Sequence, residues 1–279
     1  MSRVRIFECG HKPVAGIRHN EVYQPLHVGR AVSECQEEMA DFIGDDTGDS
    51  ISERSAHYSE LTGTYWIWKN VHDCEYVGLV HYRRDFGVEF TNENIAGFFA
   101  DGTDVVMAEP FARPRSRYIA LLNYVQLEDF VILRSVMNKI CPEYLPTLNS
   151  FLRDYLDHPF NMVVCRKELF DQYAEWLFSI MFEMEKYVKY SPYTNSSRVF
   201  GYIAELLTPV FFIHNRKKIK GMKVLMHGKR LQKSVIRRMA AHFLHQTVWR
   251  IRRNDFIGVD PSVYRGLVTD GIMTRKELI

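Results

Sequence analysis

The chain of 279 residues is poor in the features that identify common protein classes at sight. No apolar run approaches the roughly 18 residues that span a bilayer, and Met1 to Gly10 holds neither a signal-type apolar stretch nor a cleavage site. The expectation is a cytoplasmic protein. The five cysteines, Cys9, Cys35, Cys74, Cys141 and Cys165, are odd in number, widely spaced and free of any C-x-x-C pair. That pattern argues against a disulfide framework and a structural zinc site, and the scattered histidines form no H-E-x-x-H or H-x-x-x-H. Neither G-x-x-x-x-G-K-S/T nor G-x-G-x-x-G occurs, which disfavours P-loop and dinucleotide enzymes. G-x-S-x-G and the kinase signatures are missing as well.

What is present is a palette of acids, arginines and aromatics on an alternating framework. Arg5 to Gly10 reads as a first strand, and Tyr23 to Gly29 as a short strand or extended loop. A helix is expected from about His57 to Asn70, a buried strand from Tyr76, a helix over Asn94 to Ala100 and a second buried strand from Asp104 to Pro110. Helical regions follow at about Tyr118 to Lys139 and Pro142 to Tyr155, then a strand over Phe160 to Cys165 and a long helix from Lys167 to about Lys189. Ser196 to Leu207 reads as a further helix, with Pro209 to Ile213 continuing it or forming a strand. Strands separated by helices imply an α/β fold with a mixed, mainly parallel sheet. One domain is expected over residues 1–225, with a basic helical extension over 226–279.

The densest chemistry lies at Tyr76-Val77-Gly78-Leu79-Val80-His81-Tyr82-Arg83-Arg84-Asp85, an apolar strand ending abruptly on polar groups. In open α/β sheets ligands bind outside the carboxyl ends of strands, and paired guanidinium groups suit phosphate or carboxylate oxygens. Carboxylates come from Asp45, Asp46 and Asp49 in one loop, from Glu60, and from Asp85. The Asp45 loop is suited either to turn-forming and capping duty or to base chemistry. No D-x-D is present; Asp46-Thr47-Gly48-Asp49 and Asp101-Gly102-Thr103-Asp104 miss its spacing. No cofactor is firmly implied: Mg²⁺ or Mn²⁺ on Asp85 or the Asp45 loop is one alternative, and positive charge from His81, Arg83 and Arg84 is the other. Of the helical tryptophans, Trp68 is expected to pack inward, leaving Trp66 for core packing or for stacking on a base or sugar. Arg198 and Glu205 lie two helical turns apart, so both can reach one cleft or enter salt bridges.

Taken in order, several segments resemble one bacterial family: Gly10-His11-Lys12, Tyr23 to Gly29, Asp45 to Ser52, Tyr58 to Asn70 and His81-Tyr82-Arg83-Arg84. Phe160-Asn161-Met162, Glu168 to Phe178 and Arg198-Val199-Phe200-Gly201-Tyr202-Ile203-Ala204-Glu205 extend the match over about residues 5–225. The family is one of capsular and exopolysaccharide glycosyltransferases, long catalogued as a domain of unknown function, with some members assigned as galactofuranosyltransferases. The resemblance implies a GT-A-like fold, a UDP-sugar donor and a glycan or lipid-linked acceptor. It carries over Asp45, Asp46, Asp49 and Glu205 as catalytic carboxylates, to which the residue reading adds Asp85. As substrate-binding residues it implies His11, Lys12, Glu60, Tyr65, Trp66, Lys69, His81, Tyr82, Arg83, Arg84, Asn161 and Arg198. Where a histidine is expected just beyond Tyr124, this chain has Val125-Gln126-Leu127-Glu128-Asp129, with Asn123, Glu128 and Asp129 as substitutes. A non-catalytic nucleotide-sugar or glycan-binding protein is the alternative, motivated by the missing D-x-D.

The segment from Arg216 to Asn254 contains thirteen of the 36 Lys and Arg and none of the 34 Asp and Glu. Over residues 228–254, Leu231, Val235, Met239, Phe243, Val248 and Ile251 approximate one apolar stripe flanked by cations. That pattern suits a helix lying on an anionic membrane at the inner face of the cell, or docking on the acidic body; nucleic acid is not expected as a partner.

Overall fold

A computed structural model describes residues 3–112, 116–122, 124–154, 156–190 and 197–227. Its main sheet is built around β1 (Val4–Gly10), β2 (Tyr23–His27), β3 (Ile43–Gly44), β4 (Tyr76–His81) and β5 (Arg84–Phe86). It is completed by β6 (Val105–Ala108), β9 (Val163–Arg166), β10 (Ile219–Met222) and β11 (Val224–Met226), while β7 (Phe111–Ala112) and β8 (Leu156–Asp157) pair separately. The strand order is β10-β6-β9-β4-β1-β2-β3, with β5 joining β4 to β11 off that path. The β10–β6, β4–β1, β1–β2 and β2–β3 pairs are parallel; β9 runs antiparallel to both neighbours. This polarity gathers the carboxyl ends of β1, β2, β4 and β6 and the amino end of β9 along one edge of the sheet, where α/β folds place their ligands.

The helices are α1 (Ser55–Tyr58), α2 (Leu61–Asn70), α3 (Ile95–Phe99), α4 (Arg117–Leu121), α5 (Leu127–Ile140), α6 (Leu145–Arg153), α7 (Lys167–Glu185) and α8 (Val199–His214). Strand alternation divides the core: Val77 and Leu79 of β4 join Phe7, Phe170, Phe178, Phe200 and Phe212 on the face covered by α2, α7 and α8. Tyr76 and Val80 point the other way, with Ile6, Phe86, Phe90 and Ile95. Burying each such side chain contributes about 1.5–3 kcal/mol, so this two-sided packing fixes the strand register beneath the site. Gly63 is the contact point of α2 on the sheet, since a Cβ there would stand 2.8 Å from Val28 and 3.1 Å from the Cys9 sulfur.

Two expected helices are interrupted. The segment expected as helix from His57 breaks at Ser59, whose φ of 54° cannot continue a helix. The break is held from α8: Arg198 Nε donates to Ser59 Oγ at 2.7 Å, and Gly201 lets the serine approach. The region expected as one helix from Tyr118 divides into α4 and α5, because Gln126 and Asp129 form a capping box that starts α5 afresh. In contrast, α8 runs unbroken through Pro209.

The start of the basic segment is sheet. Strand β10 lies beside β6, with the Lys218 N–H donating to Asp104 at 2.7 Å and Lys220 lying 3.7 Å from Asp101. Thus Asp101 and Asp104 anchor this strand, and two hydrogen bonds from Thr103 hold the Asp101 carboxyl down at about 2. The proposed interfacial helix over 228–254 lies outside the described residues. Among those described, no helix is long and apolar enough to cross a membrane.

Candidate active site

The ends of β1 and β4 create a cationic surface. Gly10 ends β1 with Tyr82 packed close to it, and the His11 and Tyr82 rings meet edge to face at 5.4 Å. Arg83 lies 4.8 Å from the Tyr82 ring, and Arg84 lies 4.2 Å from the ring of Phe160. Loss of solvent around the ring lowers the pKa of His11, and Lys12, Arg198 and Arg83 depress it further against the pull of Glu60. His81 is lowered for the same first reason, with Glu60 opposing and Arg84 and Arg198 reinforcing. Both shifts favour the neutral imidazole. His81 is thereby shifted away from the cationic form that its position suggested.

Behind this surface a polar chain fixes the Glu60 carboxylate. Buried Asn161, at the amino end of β9, donates to Glu60 at 2.9 Å and to the Gly201 carbonyl at 3.3 Å. Thr208 donates to the Asn161 side-chain oxygen at 3.4 Å and stands 2.8 Å from the Tyr173 hydroxyl. Arg198 approaches the other Glu60 oxygen at 3.7 Å. Lys12, Arg83 and Arg198 act on the His11 ring, and Arg84 and Arg198 on His81, with Glu60 as the carboxylate that opposes them at both. Arg84 Nε and His81 Nε2 are buried atoms with no hydrogen-bond partner among the described residues. An unmet buried polar group costs about 1–3 kcal/mol, so groups of this kind beside a cleft are suited to a ligand.

The cleft occupies ≈ 710 Å³ and is lined by Arg84, Glu109, Arg117, Tyr124, Tyr202 and Glu205 among others. Of the predicted catalytic carboxylates, Glu205 is the one that lines it. Glu109, which the sequence reading missed, faces it from the end of β6. Its signal was available: Ala108-Glu109-Pro110 ends an apolar strand on a charged residue, as His81-Tyr82-Arg83-Arg84 does. Strand alternation separates Asp85 from Arg84, and Asp85 pairs instead with Arg18 at 3.2 Å and His227 at 3.1 Å. This ion-paired setting, rather than the Arg84 cleft, is where the structure places Asp85.

The Asp45 loop has a different character. Asp45 is fully buried and accepts from Gly29 N–H at 2.8 Å, Arg30 N–H at 3.1 Å and the Ser52 hydroxyl. Asp46 stands 3.8 Å from Arg30, and Asp49 accepts from the Tyr65 hydroxyl at 2.9 Å. Gly48, at φ 61°, sits against Asn70, which ties the loop to the end of α2. Trp66 is the inward tryptophan, 8 % exposed, with its indole N–H donating to the Thr47 carbonyl at 3.0 Å. Half-buried Trp68 also packs on the core, less deeply, stacked on Phe178 with Lys69 3.6 Å from its ring; of its two readings, Trp66 takes core packing. Tyr65, Trp66 and Lys69 therefore support the loop and α7, whereas His11, Lys12, Glu60, His81, Tyr82, Arg83, Arg84, Asn161 and Arg198 form one connected site. Of the substitutes for the expected histidine, Asp129 is buried in its capping box, and Asn123 lies outside the described residues.

Among the described residues, no three His, Cys, Asp or Glu side chains are grouped to ligate a metal. Asp45, Asp46 and Asp49 are each engaged within their own loop.

The fold has a glycosyltransferase counterpart among solved structures. The apo structure described as the WbbM bifunctional glycosyltransferase superposes with a TM-score of 0.71 at 29 % identity, covering 81 % of this chain. The fold is thus the GT-A-like α/β type, and the present chain spans 45 % of that chain's length. The chain belongs to the family described as domain of unknown function DUF4422, whose model matches residues 5–216. Among curated proteins, none matches.

Proposed function

We propose that the chain is a glycosyltransferase that takes a sugar from a nucleoside diphosphate donor, of the UDP-sugar type, and places it on a growing or lipid-linked glycan. The carrying observation is the convergence of Lys12, Arg83, Arg84 and Arg198 at the ends of β1 and β4, beside a cleft bearing carboxylates. The bond between the anomeric carbon and the diphosphate oxygen breaks as the bond to the acceptor oxygen forms. The leaving diphosphate takes the negative charge, which the guanidinium groups stabilise in a partly enclosed site. The acceptor hydroxyl gives its proton to a carboxylate, the role assigned to Glu205, with Glu109 facing the same cleft. Asn161 and Glu60 hold Arg198 in place.

The resemblance to surface-polysaccharide transferases supports a place in capsule, exopolysaccharide or O-antigen assembly, with galactofuranose as a donor sugar to test first. The apolar stripe flanked by cations over residues 228–254 supports action at the inner membrane face. UDP release from a panel of UDP-sugars, with membrane-derived glycans as acceptors, tests the activity. Release by the native chain and its loss in Arg83→Ala are expected; donor binding without release under any condition would give the non-catalytic binding protein instead. Deleting residues 228–254 is expected to abolish binding to anionic liposomes, and unchanged binding refutes the membrane role.

A further inference from the structure

One wall of the cleft is built from aromatic rings. Tyr202, one turn after Arg198 on α8, stacks on Tyr124 from the turn between α4 and α5, with ring centroids 4.8 Å apart and planes inclined by 27°. Both rings line the cleft, and Tyr124 is 45 % exposed. Phe111 and Met226 extend the rim as exposed apolar side chains, 42 % and 39 % exposed. Large apolar groups gathered at a cleft mouth mark a contact surface, since folding alone gains little from leaving them in water.

The chemistry of that surface narrows its partner. A stacked tyrosine pair presents a flat face suited to the C–H face of a pyranose ring, while hydroxyl groups at the ring edge need polar partners beside it. Glu109 and Glu205 line the same cleft and can accept from such hydroxyls. Charge sets a further limit. Among the described residues that line the cleft, three are carboxylates, Glu109, Asp157 and Glu205, against two arginines, Arg84 and Arg117. A sugar acid placed there meets like charge.

We propose that the Tyr124–Tyr202 stack is the platform for the acceptor's terminal sugar, and that this sugar is a neutral hexopyranose unit of a glycan. The assignment rests on the transferase reading of the cleft and adds the acceptor class to it. Arg198 and Tyr202 stand 6.0 Å apart, so the donor surface and the acceptor platform meet on consecutive turns of α8.

The test uses the full chain with methyl glycosides as probes: α- and β-glucoside, galactoside, mannoside and N-acetylglucosaminide, with methyl glucuronoside as the charged control. Saturation-transfer NMR is expected to detect at least one neutral glycoside and to rank it above the glucuronoside. Tyr124→Ala is expected to weaken that binding tenfold or more, and Tyr124→Trp to restore it, while the thermal midpoint of each variant reports its folding. Absence of any glycoside signal, equal binding by folded Tyr124→Ala, or preference for the glucuronoside overturns the platform. Calorimetric titration of the native chain with UDP separates the two claims. A Tyr124-dependent glycoside signal without UDP binding leaves the platform standing and sinks the transferase reading.

Discussion

Strands β2 and β4 both end in a histidine at the same edge of the sheet, yet their polar loops do different jobs. Beyond β2, His27 meets the Ser33 hydroxyl at 2.8 Å, and Asp45 takes three donors from Gly29, Arg30 and Ser52. Asp49 and Thr47 are engaged by Tyr65 and Trp66. Beyond β4, Arg83 is exposed, Arg84 lines a cleft, and the buried Arg84 Nε has no partner among the described residues. Ionisable residues are equally dense at both ends. What distinguishes them is whether the side chains are consumed by one another or held toward open space: the first condition builds a loop, the second a site.

The largest effect should come from Arg84. Replacement by Ala is expected to lower turnover about 1000-fold, equivalent to about 4 kcal/mol of transition-state stabilisation, because a preorganised cation opposite a leaving diphosphate is lost. The thermal midpoint should move by no more than about 2 °C, since the side chain supports little else. Steady-state UDP release and calorimetry read the two quantities. Unchanged turnover with a large stability loss would place Arg84 in the structural class and erase the contrast.

Asp45 should behave in the opposite way. Asp45→Ala strands two backbone N–H groups and one hydroxyl, a loss of roughly 3 kcal/mol at about 1 kcal/mol each. Urea unfolding is expected to show it as a lower midpoint with the slope unchanged. Activity measured where the variant is folded should remain within tenfold of the native chain. A thousandfold loss in folded protein would make Asp45 a functional group.

Much of this edge was legible in the chain. The apolar run of Tyr76 to Val80 stopping on His81-Tyr82-Arg83-Arg84 identified a strand, its direction and a cationic end. Motif order linked Asn161, Arg198 and Glu205 to it across the sequence. Pair geometry was beyond reach: composition cannot tell that Asp49 meets Tyr65, or that alternation turns Asp85 away from Arg84 toward Arg18. The role of Trp66 stayed open between core packing and stacking, because two tryptophans two residues apart satisfy either inward placement, and the Thr47 partner decides it for the core. The helix break at Ser59 was hidden because its cause, α8, lies about 140 residues away.

Asp129 sharpens the comparison with a buried aspartate that has less support than Asp45. It accepts one backbone hydrogen bond, from Gln126 at 3.1 Å, and burial raises its pKa to about 6, Gln126 opposing and Glu128 adding to the rise. The unfolded carboxyl titrates near 4, so between about pH 4 and 6 the folded chain retains a proton that the unfolded chain releases. This group's contribution to stability therefore falls as pH rises through that window and is level above it. Asp129→Asn removes the titration. Relative to the native chain, the variant should gain about 2 to 3 kcal/mol on going from pH 4 to pH 7, measured by urea unfolding at both values. An equal difference at the two pH values would mean that the carboxyl ionises as freely in the fold as outside it.

The smallest expected effect is that of a chelator, and it decides which strand end does the chemistry. A resident Mg²⁺ or Mn²⁺ needs carboxylate oxygens free to ligate it, usually one or two together with substrate phosphates. The acids beyond β2 are the nearest approach to such a set, and each is engaged within the loop: Asp45 by its three donors, Asp46 near Arg30, Asp49 by Tyr65. The cations beyond β4 can take the diphosphate charge without a metal. UDP release in excess EDTA should therefore stay within about twofold of the untreated rate, less than 0.5 kcal/mol. Abolition by EDTA and recovery on adding Mn²⁺ would require the Asp45 loop to open and ligate the ion. The end of β2 would then carry the reaction, and the polar contacts that now read as a finished loop would be the resting state of a metal site.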